Sequence, residues 1–270
     1  MKKKNTIRIN DIDIDTWLDR DIEKLDELPA DETTLKYDKK LVAFLDLLGI
    51  TNRILEAEDG QESEIIDCLE KTKGIVLIEA KEYLDTSDLN LLHLSDSFIF
   101  ACSEELLPKM LDLLCIIQVR ILIECHTMLR GALEYGSVII KDDGRQIIGP
   151  AYISAYQRQE RDAIYPRIII SNSVSDLINT RFSTYSSIIM SYDREKALDC
   201  VQAYCDREGT NKNAIISRLR REGVYDYLIE EYRNFHEKDR SSERRKYGWM
   251  INYLIEKEVW PNEPKYRDWQ

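Results

Sequence analysis

Two aspartates carry the clearest chemical signal in this 270-residue chain. Asp46 lies in Leu41-Val42-Ala43-Phe44-Leu45-Asp46-Leu47-Leu48-Gly49-Ile50, an apolar run bounded by polar Asp38-Lys39-Lys40 that reads as a central buried strand. A carboxylate at the end of such a run is expensive to desolvate unless something positive meets it. Gly49 follows three residues later, where a backbone can approach a ligand closely. Asp96 lies in the segment Leu91 to Cys102, two apolar runs joined by Ser95-Asp96-Ser97, which reads as a hairpin with a carboxylate at its tip. Side chains alternate along a strand, so Phe44 points with Asp46, and Leu92 and Leu94 point with Asp96. If the two strands are neighbours, both carboxylates end one face, and the three apolar side chains pave it beneath. Such a pair suits two divalent cations, Mg²⁺ or Mn²⁺, which take one or two carboxylates and complete their shells with water and phosphate oxygens. The paving has the size of a nucleobase.

Each of these residues also has a plainer reading. Asp46 can cap a helix beginning near Thr51, and Asp96 can simply occupy a turn. Phe44, Leu92 and Leu94 can be ordinary core. Arg130 can pair with Glu134 on the same face of its strand, and Arg158 and Arg161 can lie on a solvated helix face. Tyr152 and Tyr156 can stack on a base, though they are two of fifteen tyrosines. His93 points opposite to Asp96 and reads as an interior histidine.

The elements that must position these residues follow in order. Residues 1–37 form an acidic leader in which Trp17, Leu18, Ile22, Leu25 and Leu28 sit at near-helical spacing until Pro29. The core begins near Tyr37 and is expected to extend over residues 38–205. After the first strand, Thr51 is expected to cap a helix with Ile54, Leu55, Ile65, Ile66 and Leu69 inward, broken at Asp59-Gly60. The hairpin comes next, then a long helix capped by Ser103 that carries Leu106, Met110, Leu113, Leu114, Ile117 and Ile121. A strand spans residues 129–140, Gly149-Pro150 opens a helix to about Arg161, and residues 165–171 form a strand before a helix capped by Ser171 or Ser173. Strand, helix, hairpin, helix, strand, helix, strand is an α+β arrangement of the ferredoxin-like kind, with helices on one face of a mixed sheet. Residues 206–270 read as a charged helical extension, structural or oligomerising.

Composition narrows the function classes. A net charge of −12 argues against broad nucleic-acid binding. Asn5-Thr6-Ile7-Arg8 supplies no apolar core for a signal peptide, and the apolar stretch from Met110 to Ile123 is interrupted by Asp112, Gln118 and Arg120, so neither secretion nor a membrane span is expected. A cytoplasmic protein is the expectation. The six cysteines lie mostly in apolar runs without a CxxC pair and read as buried thiols. Three histidines without ligand spacing make zinc a poor fit.

The order of the pieces resembles the class III nucleotidyl cyclase domain. That family carries an F-x-D-x-x-G-F strand, a G-D hairpin and an L-R-x-G-x-x-x-G strand. Here stand Phe44-Leu45-Asp46-Leu47-Leu48-Gly49-Ile50, then Ser95-Asp96, then Leu129-Arg130-Gly131-Ala132-Leu133-Glu134-Tyr135-Gly136, over roughly residues 38–180. Where family adenylate cyclases place a lysine and guanylate cyclases a glutamate, four residues before the second metal aspartate, this chain has Leu92. The family's Asn-x-x-x-Arg helix is altered too, leaving Arg158 as its arginine. Phe-Leu-Asp-Leu-Leu-Gly, Leu-Ser-Asp-Ser, Gly-Pro-Ala and Ile-Tyr-Pro-Arg-Ile-Ile together are similar to the pyrimidine cyclases of the Pycsar anti-phage systems. The resemblance implies that Asp46, Asp96 and the Leu47 carbonyl hold two Mn²⁺ or Mg²⁺ ions about 3.5–4 Å apart. It implies that backbone amides of Leu48, Gly49 and Ile50 cradle phosphate, and that Phe44, Leu92 and Leu94 receive the base of UTP or CTP. Arg130 would reach the triphosphate, and Arg158 would stabilise the transition state, serving the partner's metals in a head-to-tail homodimer. The product, cyclic UMP or cyclic CMP, would act on a separate effector. A purine cyclase with an unusual base pocket and a non-catalytic nucleotide sensor are the alternatives.

Overall fold

The computed structural model describes residues 8–9, 12–13, 36–57, 62–84, 88–141, 144–207, 209, 211–238 and 240–267. The chain divides into two units, Met1–Lys36 and Tyr37–Gln270. In the first, β1 (Arg8–Ile9) pairs antiparallel with β2 (Ile12–Asp13). The helix expected over Trp17 to Leu28 lies outside the described residues.

The second unit is built on β3 (Asp38–Leu48), whose residues 41–45 are buried, as a continuous apolar run demands of a strand covered on both faces. Then come α1 (Ile50–Glu56), α2 (Glu62–Tyr83), the hairpin β4 (Asn90–Leu94) and β5 (Ser97–Cys102), α3 (Leu107–Cys125) and β6 (Met128–Lys141). These β-α-β-β-α-β pieces lie in the order β4-β5-β3-β6 with every neighbour antiparallel, which is the ferredoxin-like arrangement. Beyond β6 the sheet continues through β8 (Ile168–Ile170), β10 (Glu195–Leu198) and β9 (Ile189–Tyr192), with β7 (Gln146–Ile148) paired to the far end of β6. The β6–β8 pairing is parallel, so the sheet is mixed.

Alternation along β3 sorts the core into two sides. Leu41, Ala43, Leu45 and Leu47 face α2 and α3. Helix α3 is apolar around most of its girth because helices from the C-terminal part cover its outer side. Val42 and Phe44 face the other way, onto α4 (Pro150–Arg161) through Ala151 and Ala155. Helices therefore occupy both faces of the sheet, not one; two alanines in succession on its buried stripe let α4 lie close against β3. After β8 come α5 (Asn172–Arg181), α6 (Cys200–Arg207), α7 (Lys212–Arg221), α8 (Val224–Glu237), α9 (Ser241–Glu256) and α10 (Pro264–Arg267). They belong to the same compact unit as the sheet.

Several local expectations change. Gly49, at φ 88, caps α1, and Thr51 lies inside the helix. Ile54, Leu55 and Ile66 are 51%, 78% and 57% exposed, because Ile50, at 1%, provides the inward anchor of the short α1. Ser103 does not cap the long helix: its hydroxyl and amide bond the Asp88 carboxylate, a 3₁₀ turn (Glu104–Leu106) intervenes, and α3 starts with Pro108 in its first turn. Ser171, rather than Ser173, caps α5, accepting from the Val174 amide at 3.2 Å. The hairpin β9–β10 was not expected. Among the described residues, no helix is long and apolar enough to cross a membrane.

Candidate functional site

Register places Asp46 opposite Ser97 on β5 and opposite Arg130 on β6. Residues directly opposite share a face of the sheet, so Asp46 sits between a hydroxyl and a guanidinium on the α4 side. Arg130 donates Nε to Asp46 Oδ2 at 3.0 Å, and its Nη2 lies 3.0 Å from the same oxygen in an ion pair. Gln159, from the last turn of α4 and 3% exposed, donates Nε2 to the same oxygen at 3.1 Å. Ser97 donates Oγ to Oδ1 at 3.3 Å. Arg130 thus pairs with Asp46, and the alternative pair with Glu134 does not form.

Asp96 occupies the second position of a two-residue turn between Leu94 and Ser97. Its carbonyl accepts from the Leu47 amide at 3.1 Å, pinning the hairpin tip to the end of β3. Ser95 takes φ 56, a left-handed conformation that two-residue hairpins favour and that serine adopts only under strain. Burial holds the Asp46 carboxyl above the ordinary carboxylate range; Arg130 acts against this, and the neighbouring Asp96 charge adds to it. An Asp46 carboxyl whose charge is disfavoured by burial and by Asp96 is a place where a cation would bring relief.

Among the described residues no group of three or more histidine, cysteine, aspartate or glutamate side chains could hold a metal ion. Two carboxylates with backbone oxygens beside them do not fit zinc. They do fit a hard divalent cation that keeps water and phosphate among its ligands, the usual habit of Mg²⁺ in phosphate chemistry.

The remaining expected residues are placed as follows. Phe44 is 6% exposed and roofed by Tyr152 and Tyr156, with ring centroids 6.2 and 5.3 Å away. Leu92 packs at the edge of the same cluster, whereas Leu94 is 54% exposed. The apolar surface open to a base beside the carboxylates is therefore Leu92, Leu94 and the rim of Tyr156. Leu48 and Ile50 bury their side chains in the α2–α3 core, leaving only backbone for a ligand. Gly49 is required by its φ rather than by space, since an added Cβ would meet nothing within 4 Å.

Structural comparison finds likeness to cyclase catalytic domains. A bacterial light-regulated adenylyl cyclase aligns at 14% identity and TM-score 0.42, over 60% of this chain and 55% of that one. The adenylyl cyclase CyaB from P. aeruginosa aligns at 15% identity and TM-score 0.44, over 60% and 92%. The monomeric guanylyl cyclase domain of the RhoGC fusion protein from the aquatic fungus Blastocladiella emersonii aligns at 15% identity and TM-score 0.49, over 61% and 96%. The chain spans little more than half the length of the first of these. No family model matches the sequence, and no curated protein does. The likeness is one of fold and carries no activity with it.

Arg158 is not brought to the aspartates within the chain. Its Nη1 donates to Glu134 at 2.9 Å, its Nη2 to Glu195 at 2.6 Å and to the Ile170 carbonyl at 3.4 Å, and Asp162 lies 3.6 Å from its Nε. Burial works against its charge, but Glu134 and Glu195 outweigh burial and hold the guanidinium above its ordinary value. Glu134 faces Val42, four residues before Asp46 on β3, which at strand spacing is about 13 Å away.

Two residues of the cluster were missed by sequence reasoning. Gln159 follows Ala151 and Ala155 at four-residue steps, so the buried stripe of α4 pointed to it. Ser97 was visible only as part of a turn, yet pairing β5 with β3 makes it the cross-strand neighbour of Asp46.

Proposed function

We propose that the protein is a metal-dependent nucleotidyl cyclase that converts a nucleoside triphosphate, UTP or CTP, to its 3′,5′-cyclic monophosphate and pyrophosphate. The observation that carries this reading is the half-buried Asp46 carboxylate, held by Arg130, Gln159 and Ser97 and within the electrostatic influence of Asp96 at the hairpin tip. Asp46, Asp96 and the Leu47 carbonyl would hold the cations. When bound, such ions lower the cost of ionising a hydroxyl and neutralise phosphate charge. Arg130, two residues deep on a central strand, is positioned to move from Asp46 to a phosphate oxygen. In the reaction the ribose 3′-hydroxyl gives its proton to solvent, its oxygen bonds the α-phosphorus, and the bond from that phosphorus to the β-phosphate oxygen breaks. Charge builds on the α-phosphate during in-line attack, where placed cationic donors matter most.

A pyrimidine fits because Leu92 offers no polar group where family purine cyclases read the base edge. The resemblance to Pycsar cyclases supports a role in phage defence, with the cyclic nucleotide as messenger to a separate effector, and with Arg158 serving a partner's site in a homodimer. A second reading, nucleotide sensing without turnover, is favoured by the carboxylates that occupy Arg158. Incubation with each NTP and Mn²⁺, followed by chromatography, separates the two. The expected result is a cyclic product from UTP or CTP that Asp46→Ala and Asp96→Ala abolish. A cyclic purine would remove the pyrimidine assignment, and bound but unconverted nucleotide would leave the sensor.

A further inference from the structure

The short helix α1, the start of α2 and the C-terminal helices α8 and α9 enclose a cleft of about 360 Å³. Its lining includes neither Asp46 nor Asp96, nor Arg130. Small-ligand sites span about 300–1,000 Å³, so this one suits a compact ligand, one ring and one charged group. The walls are of two kinds. Phe235 and Tyr247, stacked with ring centroids 5.4 Å apart, supply flat apolar surface. Arg53, Lys238 and Arg240 bring three positive charges against the two negative charges of Glu64 and Glu231. The lining is thus positive by one charge in a chain whose net charge is −12.

Arg53 is half-buried and held in place. Its guanidinium donates to the His126 carbonyl at 3.1 Å, the Tyr227 hydroxyl at 3.3 Å and the Thr127 hydroxyl at 3.5 Å. Tyr227 is clamped in turn, stacked on His126 with centroids 5.1 Å apart and bonded to the Tyr247 hydroxyl at 3.2 Å. These three acceptors are neutral, so they orient the guanidinium without cancelling its charge, and it has five N–H donors to place. Glu231 acts on that charge more weakly than Tyr227 or Tyr247. An oriented, half-buried guanidinium in a cleft of positive lining is complementary to a single negative charge. Asn234, beside Phe235 on α8, adds a carboxamide that both donates and accepts, as the edge of a pyrimidine base does.

We propose that this cleft is a second ligand site, separate from Asp46 and Asp96, for a compact monoanion bearing a flat ring, and that its ligand is the pyrimidine cyclic monophosphate. The class of ligand follows from the lining. Its identity rests on the cyclase reading above, whose product carries one negative charge on its phosphodiester and one flat base. Arg53 takes the phosphodiester, Phe235 and Tyr247 pack on the base, and Asn234 meets its edge. Gly49 and Ile50, three and four residues after Asp46, form the adjoining wall. A ligand there touches the segment that leads from the carboxylate into α1, which makes the cleft a place where product reports back to the enzyme.

The test uses the full-length protein with a chelator, so that Asp46 and Asp96 hold no cation, and reads the binding of cyclic UMP and of cyclic CMP by calorimetry. At least one of the two should bind. A hydrogen bond to a charged group corresponds to about ten- to one-hundred-fold in affinity, the loss expected for Arg53→Met. Because Arg53 also ties α1 to Tyr227, a second variant fills the cleft instead. Asn234→Trp, at a half-buried helix position, should lose binding at least as far with its thermal unfolding unchanged. Asp46→Asn should bind as wild type does. No binding of either nucleotide by wild type, or binding that Asp46→Asn removes and both cleft variants keep, would overturn the second site. Turnover of UTP or CTP decides the cyclase reading separately: a protein that turns over and leaves the cleft empty loses only the second site, and one that binds through the cleft and turns over nothing keeps the site and loses the cyclase reading.

Discussion

Gly131 stands between Arg130 and the sheet's centre, and its replacement by alanine tests both fold and site. An added Cβ would lie 2.5 Å from Leu45 Cδ2 and 2.7 Å from the Phe44 carbonyl oxygen. A close carbon–oxygen contact is about 3.3 Å, so β3 must retreat by about 0.6 Å at Phe44. Strand β6 cannot yield instead, because the Gly131 amide donates to the Arg167 carbonyl at 3.0 Å on its other side. Leu45 is wholly buried and has to leave its rotamer as well. The sum falls in the upper part of the overpacking range, about 3 kcal/mol. For a domain of this size that is a fall in Tm of about 6–12 °C. Asp46 follows Leu45 directly, and its alignment with Arg130 depends on the spacing being disturbed. Since a misplacement of about 1 Å can reduce catalysis a hundredfold, half of that predicts a loss on the order of tenfold in cyclase rate. Thermal unfolding and product formation are measured on the same preparation. A Gly131→Ala protein within about 2 °C of wild type and fully active would refute the argument.

Two further outcomes follow from the charges. The native Asp46 carboxyl binds its proton more tightly than in the unfolded chain, where the ordinary value is 3.8. Its favourable contribution is therefore complete below about pH 3.8 and is lost as pH rises through the native pKa. Asp46→Asn, which cannot ionise, should gain in Tm relative to wild type between pH 4 and pH 7 while losing activity; a relative Tm that falls over this range would contradict it. Arg158→Ala strands Glu134, a carboxylate only 7% exposed, and should destabilise by about 3 kcal/mol. Adding Glu134→Gln should recover most of the lost Tm without recovering activity, and recovery of both would show that Arg158 acts only by holding the fold.

What was legible in the sequence was what strand periodicity decides. Phe44, Asp46, Leu92 and Leu94 share a face because alternation requires it, and the Ser95-Asp96 turn lay between two apolar runs. The hairpin β9–β10 was hidden because Asp193 and Arg194 take φ 52 and 67 without a glycine to announce the turn. Gln159 was hidden for a different reason: the stripe of Ala151, Ala155 and Gln159 marks a buried face of α4, but that this face meets Asp46 depends on how α4 crosses β3. Arg158 was legible as a cation but not as a caged one, since Glu195 is contributed by that unforeseen hairpin. The exposure of Ile54 and Leu55 reflects the brevity of α1, which the helical spacing of apolar residues concealed.

The clasp of Arg130 and Gln159 on a single Asp46 oxygen has a kinetic consequence. On the proposed reading, Asp46 could hold a metal ion alone only by giving up Arg130, whose guanidinium would be left at a half-buried position without the carboxylate it pairs with among the described residues. A metal ion arriving already complexed to a triphosphate brings the replacement acceptor with it, so the exchange of partners is nearly balanced. On that reading the resting hydrogen bonds would set an order of addition: the free ion would be held weakly, the metal–nucleotide complex would be the species that enters, and Arg130 would return to Asp46 as product departs.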